Sequence, residues 1–257
     1  MIILFSSKNI ASSNIAKHLI MEHGFAPNGI DEWKKDEIRL IDTKVELILD
    51  VPTDFDTDCL IVLSTHKSKN QDRMLTAHIP GNWGKAEMGG ESEKLNIADA
   101  SRLKILFQEI AKEAERIGWK SSIEADHHGP TCEVPIIFVE IGTTETEWRD
   151  EKAGQAIANA VTRGIMRNET YETIFGVGGG HYPRLFSKME LESALAFGHM
   201  LPKYSVDALT EDMFRQAIGR NAGKLAKVII SKDEVNARQR EKIIGFCEKF
   251  GVKYELM

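Results

Sequence analysis

The feature that most constrains this chain is a recurrence of apolar runs too short for helices and too continuous for half-exposed strands. Residues 2–5, 37–41, 45–51, 59–63, 122–125, 136–141, 173–177 and 228–230 read as strands. Near-continuous Ile, Val, Leu and Phe is how strands buried on both faces appear. Between them, apolar residues recur every three or four positions. Leu103, Leu106, Phe107, Ile110, Ala114 and Ile117 form one helix face, and Ala153, Ala156, Ile157, Ala160, Val161 and Ile165 another. Thr144 and Glu147 have capping-box spacing ahead of the second. Further helices are predicted at 10–23, 185–196, 207–221 and 234–250.

Such alternation predicts βαβ units: a three-layer α/β fold with a mostly parallel or mixed sheet, in one domain over residues 1–257. Residues 67–98 are polar, Gly-rich and aperiodic, and are expected to be a loop-rich insertion.

Some classes are excluded early. No stretch approaches the roughly 20 apolar residues of a membrane span, and the N-terminus lacks the pattern of a signal peptide. Three widely spaced cysteines, Cys59, Cys132 and Cys247, do not make a disulfide framework. They point to the cytoplasm. A net charge of -6 argues against a chain coated in nucleic acid, though not against a local basic patch.

Chemistry concentrates where apolar runs end. His66 follows CLIVLST, His127 and His128 follow SSIEAD, His181 follows TIFGVGGG, and His199 follows LAFG. Ligands of open α/β sheets bind outside the carboxyl ends of strands, so separate strand ends would deliver imidazoles to one edge. Glu140 is a carboxylate inside the apolar run IIFVEI, and a buried carboxylate must be paired, hydrogen-bonded or on a metal. Pairing with Arg149 or Arg163 is the plain alternative. Adjacent strand residues face opposite ways. His127 and His128 can therefore reach one site only if the strand has ended, as Gly129 and Pro130 suggest.

Gly178, Gly179 and Gly180 match neither a dinucleotide fingerprint nor a Walker loop. They suit a strand end passed closely by a ligand or by other backbone, or a plain turn. Tyr182 could stack on a ligand, and Arg184 opens a helix whose N-terminus favours an anion. Lys67, Lys69 and Arg73 form a basic stretch beside His66, either a polyanion contact or a solvated loop. Trp83 is a stacking platform or a pin holding the loop to the core.

Taken together, STHKS at 64–68, PGNWG at 80–84, HHGP at 127–130, VEIGTTETEW at 139–148, GVGGGHYPR at 176–184 and GHMLPKY at 198–204 resemble the D-aminoacyl-tRNA deacylase of archaea and plants. The resemblance implies a fold like that of phosphorylases and peptidyl-tRNA hydrolases. It implies hydrolysis of the ester joining a D-amino acid to tRNA, and a zinc cofactor. On that reading His66, His127, His128, His181 and Glu140 are candidate ligands. His128, His181, Glu140 and Thr65 are candidate catalytic groups. Lys67, Lys69, Arg73, Trp83, Gly178, Gly179, Gly180, Tyr182, Arg184 and His199 are candidate contacts to D-aminoacyl-tRNA, handled by a monomer. Zinc held by histidines lowers the pKa of bound water to about 7. A metal-free route through the ribose 2′-OH, a nucleoside phosphorylase or nucleosidase, and a tRNA-binding protein without chemistry are the rival readings.

Overall fold

The computed structural model describes residues 1–68 and 72–257. In chain order the elements are β1 (Ile2–Phe5), α1 (Ile10–Glu22), β2 (Ala26–Gly29), β3 (Glu32–Lys35), β4 (Ile38–Asp42), β5 (Leu60–Lys67), β6 (Met74–His78), β7 (Gly81–Asn82), β8 (Lys94–Leu95) and α2 (Ala100–Ile117). They continue with β9 (Lys120–Ile123), β10 (Ile136–Thr143), α3 (Glu145–Trp148), α4 (Glu151–Ile165), β11 (Glu172–Val177) and α5 (Arg184–Glu192). The chain closes with β12 (Leu195–Leu201), a 3₁₀ turn at Lys203–Ser205, α6 (Glu211–Gly219), β13 (Leu225–Ile230), α7 (Ala237–Phe250) and β14 (Tyr254–Leu256).

Two sheets organise them. The larger is mixed, in the order β2-β3-β4-β1-β5-β10-β6-β9; the smaller, β12-β11-β13-β14, is parallel throughout. In the large sheet β1, β4, β5 and β10 run parallel, β6 runs antiparallel to β10, and β9 runs parallel to β6. The apolar stripes found in the sequence land where they should. Leu106 and Ile110 of α2 join Ile157 and Val161 of α4 and Ile61, Val139 and Leu75 of the large sheet in one buried cluster. Ile174, Phe197 and Ile229 of the small sheet belong to the same cluster, so α2 lies between the sheets. The far face of the small sheet packs Val177, Val228 and Ile230 on Phe214 of α6 and Ile243 of α7.

Ends of helices follow local chemistry. Asp99 caps α2 through the Arg102 N–H, and Gly118 ends it in the left-handed region. The capping box read from Thr144 and Glu147 forms, on the short helix α3.

Four expectations are corrected. Residues 45–51 are turns, because Leu47 and Val51, four apart, are the residues that tuck into the core while Leu49 stays exposed. The helix expected over 185–196 stops at Glu192. A buried strand, β12, starts two residues after Ser193, so the apolar pattern passes from helix to strand with almost no break. Residues 67–98 are not all loop, since β6 within them is a fully buried strand of the large sheet. The helices predicted at 207–221 and 234–250 begin later, at Glu211 and Ala237.

Candidate active site

Strand alternation builds the site. On β5 the side chains of Ser64 and His66 share a face; their register partners Glu140 and Gly142 on β10 share it, and Thr76 lies opposite Glu140 on β6. His78 lies further along β6, and Glu124 follows β9, its N–H held by the Ala77 carbonyl. His181, from the end of β11 in the small sheet, completes the ring. Its carbonyl accepts from the Ala125 N–H, which fastens the two sheets together there.

Glu124 stands at the centre. Its oxygens lie 2.6 Å from His181 Nε2, 3.3 Å from His66 Nδ1, 3.7 Å from His78 Nδ1 and 3.8 Å from His127 Nε2. Glu140 Oε2 is 3.5 Å from His66 Nδ1. The short contact to His181 is off the ring's N–H axis. Both Glu124 oxygens, and His78 Nδ1, are buried without a directed hydrogen bond. Orphaned buried polar atoms are rare in folded proteins and call for a partner.

His127 and His128 have their tautomers set by the backbone. His127 Nδ1 meets the Ala125 carbonyl at 2.9 Å and His128 Nδ1 meets that of Gly129. A carbonyl only accepts, so each Nδ1 carries the proton and each Nε2 keeps its lone pair. His128 Nε2 lies 3.1 Å from His78 Nε2. Both neighbours reach the ring because His128 adopts a left-handed backbone, φ 47°. That conformation is costly for a non-glycine residue and tends to sit at functional sites.

Electrostatics separates the imidazoles into two kinds. Burial opposes protonation of His66, but Glu124 and Glu140 outweigh it and raise its pKa to about 11. Burial, joined by neighbouring imidazoles, holds His78 well below its usual range, His127 near 3 and His128 near 4. Burial pushes Glu140 up to about 7, with His66 pulling the other way. Glu124 sits well below the ordinary carboxylate range: burial raises it, and His181 and His66 more than reverse that.

Donor atoms lie within 4.8 Å of one another in three sets: His78, His127 and His128; His66, Glu124 and His181; His78, Glu124 and Glu140. Preset Nε2 lone pairs, a buried carboxylate ringed by imidazoles, and imidazole–carboxylate chemistry suit a zinc-like cation.

Of the residues singled out in the sequence, His66, His127, His128, His181 and Glu140 are brought together. Arg149 and Arg163 bind Glu145, Glu109 and Glu113 and leave Glu140 alone. Thr65 faces away from His66 because neighbours on a strand alternate; its hydroxyl accepts from Asn9 at 3.1 Å. His199 is fully buried. Its Nδ1 is 2.6 Å from Asp126 Oδ2 and its Nε2 2.9 Å from the Arg220 carbonyl, so both ring nitrogens are engaged and it braces the strand end beside His127. Trp83 is a pin: it is buried and stacks on Phe175, with ring centroids 5.8 Å apart. Arg73 lies 3.7 Å from Glu147. Lys67 is exposed at the end of β5, and Lys69 lies outside the described residues. Tyr182 donates to or accepts from His66 Nε2 through its hydroxyl.

Gly178 and Gly179 are explained by their own turn, whereas a Cβ on Gly180 would meet nothing within 4 Å. Gly179 has φ 78°, and a Cβ there would lie 2.8 Å from Pro183 Cβ and 3.0 Å from Pro183 Cα. The Gly178 N–H is already given to the Leu201 carbonyl, so it is not a free donor for an oxyanion. Gly179→Ala is therefore expected to destabilise the protein by about 1–3 kcal/mol. A denaturant midpoint matching the parent would show that the turn tolerates a side chain.

Sequence reasoning did not assign Glu124 or His78 to the ring. Glu124 was visible only as one acid in a polar strand exit, and His78 sat in what read as loop.

The chain is similar to known proteins over most of its length. A family model described as D-aminoacyl-tRNA deacylase matches residues 53–255. The D-aminoacyl-tRNA deacylase of Pyrococcus furiosus is 31% identical over 98% of both chains. That of Saccharolobus islandicus strain L.S.2.15 is 37% identical over 77% of this chain and 83% of its own. The crystal structure of a conserved protein of unknown function superposes with a TM-score of 0.91 at 26% identity, covering 99% of this chain and 94% of the other.

Proposed function

The chain belongs to the D-aminoacyl-tRNA deacylase family, and from that premise we propose that its histidine–carboxylate ring is where the ester of D-aminoacyl-tRNA is hydrolysed to free D-amino acid and tRNA. The single observation that carries the placement is Glu124, a buried carboxylate ringed by four imidazoles with neither oxygen in a directed hydrogen bond.

Zinc is the cofactor the donors favour. His78, His127 and His128 would hold it on one side, and His66, Glu124 and His181 on the other, with Glu140 within reach of the ring. When bound, zinc supplies a Lewis acid and activates water at neutral pH.

The chain's own residues do the rest. The carbonyls of Ala125 and Gly129 hold His127 and His128 in the tautomer that points Nε2 inward. Glu140, buried beside Ser64 and His66, is placed to take a proton from the attacking water. His181 and His127, about a third and a quarter exposed, mark the open side where the ester arrives. Tyr182 fixes His66 from the opposite edge.

All three cysteines are free, which supports a reducing cytoplasm. No helix among the described residues is long and apolar enough to cross a membrane.

The test is single-turnover release of amino acid from D-tyrosyl-tRNA and L-tyrosyl-tRNA before chelation, after it, and after zinc is restored. Release from the D ester alone, lost on chelation and regained with zinc, is expected. D-selective release that survives complete metal removal would take zinc out of the chemistry.

A further inference from the structure

Two hollows adjoin the ring, one past Tyr182 and one at His127 and His128, and their chemistry differs. One, about 390 Å³, is lined by Thr143, Lys120, Tyr182, Arg184, Ser122 and Asp72 among others. Tyr182 forms its boundary with the ring through the hydrogen bond to His66. Thr143 is 97% buried by its 3% exposure, and its hydroxyl has no partner. At the rim α5 begins with Arg184, no side chain caps its first turn, and Arg184 has no carboxylate partner among the described residues. Uncapped N–H groups, a cation and an unpartnered hydroxyl together make an anion cradle.

The other hollow, about 270 Å³, adjoins the ring directly through His127 and His128. Its outer wall is Met88, Tyr204 and Pro202. Met88 and Tyr204 are 53% and 64% exposed, unusual for large apolar side chains and here gathered at one mouth. No side-chain cation but Lys85 lines it. The first hollow falls within the volume range of nucleotide-sized sites, and the second is of side-chain scale.

We propose that the aminoacylated 3′ end lies across the ring in one direction, with the phosphate of its terminal nucleotide in the Thr143–Arg184 hollow and the amino-acid side chain in the Met88–Tyr204 hollow. This rests on the deacylase reading and adds to it a polarity and a specificity surface. The ester carbonyl then falls between the two hollows, over Glu124 and the exposed edges of His181 and His127. Tyr204 meets the amino-acid side chain, so Tyr204 and Met88 set how its size is read, while Arg184 and Thr143 read the nucleic acid.

The experiment measures KM and kcat for D-tyrosyl-tRNA, D-alanyl-tRNA and the D-tyrosyl ester of adenosine, which has no phosphate. Arg184→Gln should raise KM for D-tyrosyl-tRNA by about tenfold more than for the adenosine ester. Thr143→Val should move the same ratio in the same direction without altering charge. Tyr204→Ala should cost D-tyrosyl-tRNA about tenfold more in kcat/KM than D-alanyl-tRNA. Equal changes on both members of each pair, or Tyr204→Ala acting on the phosphate comparison instead, would overturn the assignment. Absence of release by the parent protein would instead overturn the deacylase reading on which it rests.

Discussion

Glu124→Gln is expected to lower single-turnover release from D-tyrosyl-tRNA by roughly 10²-fold or more and to weaken zinc binding by about 10–100-fold. Glutamine has the same shape, so packing is kept. What changes is charge and hydrogen-bond sense. The ring then has an amide N–H₂ where an anion faced His66, His78, His127 and His181 at 2.6–3.8 Å. The amide keeps one acceptor oxygen, a weaker ligand than a carboxylate, and is no counter-charge for the imidazoles around it. Amino-acid release and bound zinc, both measured on the purified variant, check this. A variant that releases D-tyrosine and retains zinc within threefold of the parent would remove Glu124 from the centre of the site.

Lys104→Met carries the largest expected loss of stability, about 3–5 kcal/mol. Lys104 of α2 is fully buried; its ammonium lies 3.5 Å from Glu190 Oε2, and it donates to the carbonyls of Glu190 and Leu195. Glu190 in turn accepts from the Phe197 N–H at 2.6 Å through its other oxygen. One ammonium therefore satisfies three acceptors where α2, α5 and β12 meet. Methionine removes that donor from all three and leaves the Glu190 carbonyl with only the long contact from Gln108 Nε2 at 3.4 Å.

The deficit should depend on pH. Burial raises the Glu190 pKa to about 8, with Lys104 opposing the rise, against an ordinary value of 4.5. Without Lys104 the folded carboxyl holds its proton more tightly still, while the unfolded one releases it near 4.5. Folding then takes up a proton across this window, so stability falls as pH rises. The parent's Glu190 behaves alike up to about pH 8, so thermal melting should show a gap to the parent that is level between pH 5 and pH 7 and widens above about pH 8, where the parent's carboxyl ionises and the variant's does not. A gap independent of pH would mean the acceptors are satisfied in another way.

What could be read from sequence divides along a physical line. Periodicity reports burial, so the strands at 59–63 and 136–141 and the stripes of α2 and α4 were legible. The histidines after strand ends were legible too, because chain direction fixes which edge they reach. Direction of a side chain was not. His199 and Thr65 have the right residue types, yet one turns to Asp126 and the other to Asn9, partners distant in sequence. Gly179 has the permissiveness a ligand wall would need, but its constraint comes from Pro183 four residues on. Glu124 owes its role to four imidazoles from separate segments, and no local pattern announces that. The substrate was legible only through six motifs in order, since the ring alone would suit many hydrolytic reactions.

The ring draws His66, His78, Glu124 and Glu140 from the large sheet and its edge, and His181 from the small one. Its members are brought together by long-range contacts, the kind whose loop-closure cost is met late in folding. A chain whose large sheet has formed but whose small sheet is undocked lacks His181 and has nothing to hold Ala125 from that side. The ring is thus complete only when the two sheets are docked on one another. Reactivity appears only with the finished tertiary structure.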